Sequence, residues 1–349
     1  MGRPVQAINQ IVAGTKAITP QTARELQAVF PSTSAVEWLR LEAAFRLSIN
    51  PGLAEVKLIE RRMKLHDRAP VREMVQRKWI CRTKDIDALE AEVVRFYGVK
   101  SVEKIEPLKY CARSNADLSL VHDAWVRQAK ILAEGLSTKR YSKKQLQSVL
   151  PSIKEALSNP ARVGEIPHLL ANAGVRVVFI EHLPKTRIDG AAFWIGGRKS
   201  KCSIAMSLRF GRIDYFAFTL MHEIAHILHE HEPSIDTELT GSHLELPPEE
   251  LIANKWAAEY LLPPDQLKRL LISTGNSPSK EAIRGFANSM GVHPGVVLGQ
   301  LQHRGIVAYS SHRNLLVDVR DGLLSSRKQL VEAGVAAFDG FKDLAKEGD

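Results

Sequence analysis

The run Ile213–His231, IDYFAFTLMHEIAHILHEH, decides how this chain is read. Within it His222 and His226 stand four residues apart, so on a helix both leave the same face one turn apart. Two imidazoles so placed can reach one Zn²⁺ at about 2.0–2.1 Å. Glu223 follows, rotated by about 100° around the helix. It borders such an ion without ligating it and is placed to take a proton from water. Phe216, Phe218, Leu220, Ile224, Ile227 and Leu228 surround the motif, so the segment reads as a core helix. Polar groups buried in such a helix need partners or a metal.

A zinc site wants a third protein ligand and an open fourth position. A third histidine in the pattern HExxHxxGxxH is absent, because His229 and Glu232 occupy the glycine and histidine positions. The other source is a later helix carrying ExxxD or ExxxN, and residues 249–264, EELIANKWAAEYLLPP, contain it. Glu250 and Asn254 share a face, with Glu250 as the ligand and Asn254 as a hydrogen-bond partner for the far nitrogen of a histidine. Glu249 is the alternative register. His229, His231 and His243 read as rim residues, and Tyr260 and His243 are candidates for a neutral donor to a developing oxyanion.

Working outward, residues 1–160 read as helical. Ala7, Ile8, Ile11 and Val12 recur at helical spacing up to Gly14, and Thr19-Pro20 reads as a cap opening Gln21–Phe30. Ser34 opens another helix, and further helical segments lie at 53–65, 85–97, 116–134 and 143–158. After a helix over Ile166–Ala173, three strands are expected at Val175–Glu181, Ala191–Ile195 and Cys202–Ser207. Helices are expected over 213–231, 249–262, 264–272, 280–290 and 294–303, then a short strand Ile306–Tyr309 and a helix over 324–346. The order helix, sheet, helix is an α+β layout rather than alternating βαβ units.

The composition is that of a soluble globular protein: 349 residues, 44% hydrophobic and 25% charged. No apolar run reaches the roughly 18–20 residues of a bilayer span, and MGRPVQAINQ lacks the apolar core of a signal peptide. The expectation is a cytoplasmic chain without a membrane partner. Cys81, Cys111 and Cys202 are an odd count without CxxC spacing, which argues against a thiolate metal site and a disulfide framework. The net charge of +9 is uneven: residues 1–115 hold 20 Lys+Arg against 13 Asp+Glu, whereas residues 171–349 hold 20 against 21. A basic excess confined to one end is what a phosphate-binding surface needs.

Residues 216–231 and 249–264 together resemble the ImmA/IrrE family of bacterial zinc-dependent endopeptidases. The similarity extends over LLANAGVRVVFIEHL (169–183), DGAAFWIGG (189–197), SIAMSLRFGRIDYFAFTLMHE (203–223) and NSPSKEAIRGFANSMGVHPGVVLGQLQHRGIV (276–307). It implies a zincin-like metallopeptidase domain over 161–308, with a small β-sheet, an HExxH helix and a glutamate-ligand helix. It also implies a gluzincin-like site of His222, His226 and Glu250 with Glu223 as general base, zinc as cofactor with Mn²⁺ as a substitute, and a repressor protein as substrate. Residues 3–47 resemble the later part of a HigA-like, Cro/C1-type (XRE) helix-turn-helix domain. That implies a recognition helix over Pro4–Val12, with Gln6, Asn9 and Gln10 toward bases or phosphates and Arg3 and Lys16 toward phosphates. The two earlier helices of such a domain precede the point where this chain begins, so the expected DNA binding is weak and indifferent to sequence. Residues 51–160 are expected as a helical linking domain and 309–349 as a strand-and-helix extension. The expected function is an endopeptidase that cuts a regulator, with DNA and a second copy of the chain as further partners. The alternative is an XRE-type regulator or antitoxin whose metal site is structural or sensory.

Overall fold

The computed structural model describes residues 2–49, 52–106, 120–184, 186–197, 200–231, 234–237 and 247–341. The chain divides into two compact units, Met1–Leu65 and His66–Asp349. The first holds α1 (Val5–Val12), α2 (Pro20–Val29), α3 (Ala35–Ile49) and nearly all of α4 (Leu53–His66). Thr19 caps α2 as its Thr-Pro sequence predicts, its hydroxyl accepting from the Thr22 amide at 3.3 Å with Pro20 in the first turn. Burial along α1–α3 is limited to Thr22, Ala23 and Leu26 of α2.

The second unit opens with α5 (Val71–Gln76), α6 (Ile86–Tyr97), α7 (Leu120–Glu134), α8 (Lys143–Ala156) and α9 (Ile166–Asn172). The strands follow as β1 (Val175–Ile180), β2 (Ile188–Trp194) and β3 (Cys202–Met206), then α10 (Ile213–Leu228), β4 (Ser234–Thr237) and α11 (Pro248–Leu261). The remainder is α12 (Pro264–Ser273), α13 (Lys280–Met290), α14 (Pro294–His303), α15 (Arg320–Ser325), α16 (Arg327–Glu332) and β5 (Ala336–Asp339). The fold is α+β.

The five strands form one sheet in the order β4-β2-β3-β1-β5. β1 runs parallel to β3 and β5, and β2 runs antiparallel to β3 and β4. All six residues of β1 are buried, as expected of a strand covered on both faces. Val175, Val177 and Phe179 join Ile204, Met206 and the apolar side of α10 in the main core. The intervening positions turn to the other face by the two-residue period of a strand. There α7 covers the sheet, and its Lys130 lies 5.9 Å from the Phe193 ring of β2.

Two expectations at the C-terminal end are corrected. Ile306–Tyr309 is not a strand. The Ile306 amide bonds back to the Leu301 carbonyl at 2.9 Å, and Gln302 Nε2 donates to the carbonyls of Ala308 and Ser311 at 3.3 and 3.2 Å. The segment is therefore a turn wrapped on the end of α14. The single helix over 324–346 is also wrong within the described residues. Gly334, at φ +66°, stops α16, and Ala336–Asp339 pairs with β1 as an edge strand. Asp339 Oδ2 accepts from Trp79 Nε1 at 2.8 Å and from Gln128 Nε2 at 2.7 Å, which ties this strand to α7 and to the segment after α5. β4 was not anticipated, β2 begins at Ile188 rather than Ala191, and α10 ends at Leu228 rather than His231. Residues 116–119 and 342–346 of the expected helices lie outside the described residues.

His293 caps α14, its Nδ1 accepting from the Gly295 amide at 3.0 Å. Burial lowers its pKa, partly opposed by Asp214. A histidine depressed in the folded state takes its proton first in the unfolded state. Its contribution is therefore present above the ordinary value of about 6.5 and is lost as pH falls below it. His293→Asn keeps a capping acceptor without titrating. Thermal midpoints measured from pH 7.5 to 5 should accordingly fall less steeply for this variant than for the wild type; parallel curves would remove His293 from the acid response.

Candidate metal centre

α10 is the central helix of the second unit. His222, Glu223 and His226 are among its buried residues, with the two histidines at 0% and 2% exposure and Glu223 at 0%. The helical period brings the imidazoles to the same side, with ring centroids 4.6 Å apart and Nε2 atoms 2.9 Å apart. Glu250 comes from α11, whose start is set by the pair Pro247-Pro248 and whose first turn favours acidic side chains through the helix dipole. Ala253 and Ala257 are buried on α11, and these small side chains let it lie close against α10. Glu250, 1% exposed, places Oε2 3.3 Å from His222 Nε2 and Oε1 3.4 Å from His226 Nε2. His222, His226 and Glu250 thus form a group whose ligand atoms all lie within 4.8 Å of one another and which could hold a metal ion.

Glu223 is packed by the sheet. A Cβ on Gly190 of β2 would lie 2.4 Å from Glu223 Oε1 and 3.0 Å from Thr219 Cγ2. The position takes glycine because a carboxylate occupies the space a side chain would fill. Beyond Thr219 a cleft opens between β2, β3 and α10, floored by Met206, Leu208 and Phe216 and edged by Phe210 and Tyr215. Asp189 also lines it and is held by a two-point pair with Arg209, at 2.9 and 3.3 Å.

Asn254 is half-buried one turn beyond Glu250 and, among the described residues, hydrogen-bonds to no histidine. The neighbour of His226 is instead His231, whose Nδ1 lies 3.0 Å from His226 Nδ1. Burial, with His229 beside it, lowers the His231 pKa. His229 stacks on His231 at 5.4 Å. Tyr260 stacks on Trp256 at 5.1 Å and carries Lys154 over its ring at 5.7 Å. His243 lies outside the described residues. Sequence reasoning did not single out Gly190, and it placed His231 on the rim rather than against His226. The Asp-Gly pair inside an apolar strand was the available signal for the first, since an isolated strand glycine marks a close approach.

In the first unit, Gln6, Asn9, Gln10 and Lys16 are exposed. Arg3 pairs with Glu25 through two contacts of 2.6 and 3.2 Å, which join the start of α1 to α2. Among the described residues no helix is long and apolar enough to cross a membrane.

Residues 214–297 match the family model of the IrrE N-terminal-like domain, Peptidase_M78. The matched window contains His222, Glu223, His226 and Glu250, and it supports a peptidase. A stretch of 53 residues is 42% identical to Virulence-associated protein A of Dichelobacter nodosus, which is 15% of this chain and 52% of that protein. The chain thus spans about half the length of that curated relative.

Among the described residues, Glu250 completes the donor group with His222 and His226. If that group holds a metal, the metal content of purified protein should drop in Glu250→Ala relative to the wild type, because removing one of three donors opens the site. Equal content in both would remove Glu250 from the ligand set.

Proposed function

We propose that this chain is a zinc-dependent endopeptidase, with His222, His226 and Glu250 holding the metal and Glu223 acting as general base. The observation that carries the reading is the convergence of three buried donors, His222 and His226 of α10 and Glu250 of α11, beside the buried Glu223 carboxylate of α10. The donors fit the ion. A tetrahedral zinc about 2.0–2.1 Å from its ligands spaces them roughly 3.4 Å apart, against the observed 2.9, 3.3 and 3.4 Å. Two imidazoles and one carboxylate also make up a donor set used by catalytic zinc, with a fourth position left open, and Mn²⁺ is a substitute.

Bound there, zinc supplies Lewis acidity that polarises an amide carbonyl and acidifies water. The protein's own groups handle the protons. A Glu223 carboxylate oxygen takes the proton of the attacking water and then delivers it to the departing amine, one group serving as base and then as acid. The fixed seat of that carboxylate against Gly190 limits the geometries it samples, which is where much of the advantage of a positioned base lies. The substrate class we propose, from the family resemblance, is a repressor of the XRE type. The match over 214–297 supports peptide hydrolysis.

A second reading concerns the first unit. Gln6, Asn9 and Gln10 form an exposed polar row on α1 at the spacing of one helix face, and residues 1–65 carry a net charge of +4 from 9 basic and 5 acidic side chains. These features support weak DNA binding alongside hydrolysis. With Arg3 engaged by Glu25, the cations are fewer than the sequence suggests.

Three measurements test these readings. Glu223→Gln should keep the metal and lose cleavage of a candidate repressor by about 10²-fold or more, since an amide cannot take the proton. Gly190→Ala should reduce cleavage with metal retained, and full activity of Glu223→Gln would end the mechanism. Binding of the chain to promoter and scrambled DNA should be alike and fall steeply as salt rises, because its free energy comes from released counterions. Tight, sequence-specific binding in 0.15 M salt would overturn the assignment of a weak contact.

A further inference from the structure

We infer that His231 is a positioning residue of the metal centre, fixing the tautomer in which His226 presents its bare Nε2 to the ion. The inference rests on the zinc reading above. Its basis is the way α10 ends. Beyond Leu228 the chain does not unwind into solvent. The Glu230 amide bonds to the Ile227 carbonyl at 3.2 Å and the His231 amide to the His226 carbonyl at 3.0 Å, while Glu230 takes a left-handed φ of +56°. These two backbone bonds and the left-handed residue make a Schellman motif. Such a motif folds the second residue past the helix back over the residue five positions earlier, and an apolar pair commonly fills that contact. Here the pair is His231 over His226, with ring centroids 5.1 Å apart, planes at 74° and Nδ1 atoms 3.0 Å apart.

The direction of that hydrogen bond follows from the other side of the ring. His226 Nε2 faces His222 Nε2 at 2.9 Å and Glu250 Oε1 at 3.4 Å, so it is the nitrogen that points into the donor group. A neutral imidazole whose Nε2 lone pair is given to a metal carries its proton on Nδ1. His226 Nδ1–H therefore donates, and His231 Nδ1 accepts. His231 is itself held from the sheet. Trp194 Nε1 at the end of β2 donates to the His231 carbonyl at 3.1 Å, and the Trp194 ring packs edge-on against Tyr141 at 5.8 Å. The stack with His229 covers one face of its ring. A helix stop, a strand-end indole and two histidines thus supply the outer partner that the sequence assigned to Asn254. Such outer partners are worth about 10–100-fold in metal affinity.

The test uses the full chain. Zinc affinity is measured by chelator competition, and the ligand field by the visible spectrum after Co²⁺ loading, for the wild type, His231→Leu and His231→Asn. Asparagine places an acceptor oxygen near the position of Nδ1, whereas leucine fills the space without one. The expected result is a zinc affinity about 10–100-fold weaker in His231→Leu with an altered Co²⁺ spectrum, and recovery of both to near wild type in His231→Asn. Unchanged affinity and spectrum in His231→Leu would overturn the inference, as would equal weakening in both variants. If His231→Leu fails to fold, ¹⁵N-histidine spectra of the zinc-loaded wild type decide. A protonated His226 Nδ1 with a coupling across the hydrogen bond to His231 is the expected result, and an unprotonated His226 Nδ1 overturns it. A wild-type chain that takes up no zinc overturns the metal reading itself, whereas a tight wild type with an unaffected His231→Leu overturns this inference alone.

Discussion

Two imidazoles and two carboxylates enclosed in an apolar core form the constraint to which the rest of the second unit answers. Water is excluded from these groups, so each must find its compensation within the protein or in an ion. The surrounding elements are arranged accordingly. Ala253 and Ala257 keep the bulk of α11 low enough for Glu250 to reach both histidines. β2 gives up a side chain at Gly190 to seat the Glu223 carboxylate. The Schellman end of α10 returns His231 to His226. None of these devices would be needed around an apolar helix of the same length.

The parts of this arrangement legible in the sequence are those set by one helix's own geometry. The four-residue spacing of His222 and His226 fixes their common face whatever packs around them, and Glu250 with Asn254 reads the same way. The strand β1 declared itself through its β-branched run at Val175, Val177 and Val178. The misread elements depend on distant partners. Ala336–Asp339 has little strand propensity of its own and follows a segment rich in helix formers, so only its pairing with β1 and the ties at Asp339 make it a strand. Ile306–Tyr309 has the composition of a strand, but the hydrogen bonds it needs are supplied by the end of α14. His231 was read as a rim residue because Glu230 carries no mark of the left-handed conformation that redirects the chain. Glycine or asparagine there would have announced the helix stop.

The first unit shows the opposite balance. Its caps and helix limits were readable residue by residue, as Thr19 and Pro20 illustrate. Its packing was not, since α1 and α3 bury no residue fully and Arg3 spends its charge on Glu25 rather than on an outside phosphate. Counting cations along a sequence therefore overstates the positive field that a surface presents, because pairing is a property of the folded arrangement.

The strand at Ala336–Asp339 has a consequence for how the molecule is made. On the ribosome, β1, β3 and the helix bearing the two histidines emerge long before the last parallel strand does. The β1 edge stays open through the synthesis of some 150 further residues, while Trp79 and Gln128 wait for Asp339 across separations of 260 and 211 positions. Closing contacts of such range is slow, because a long loop must be ordered before any bond repays it. The interior that gathers His222, His226 and Glu250 is thus enclosed only once Ala336–Asp339 has been made, and the nascent chain carries an unpaired edge until then.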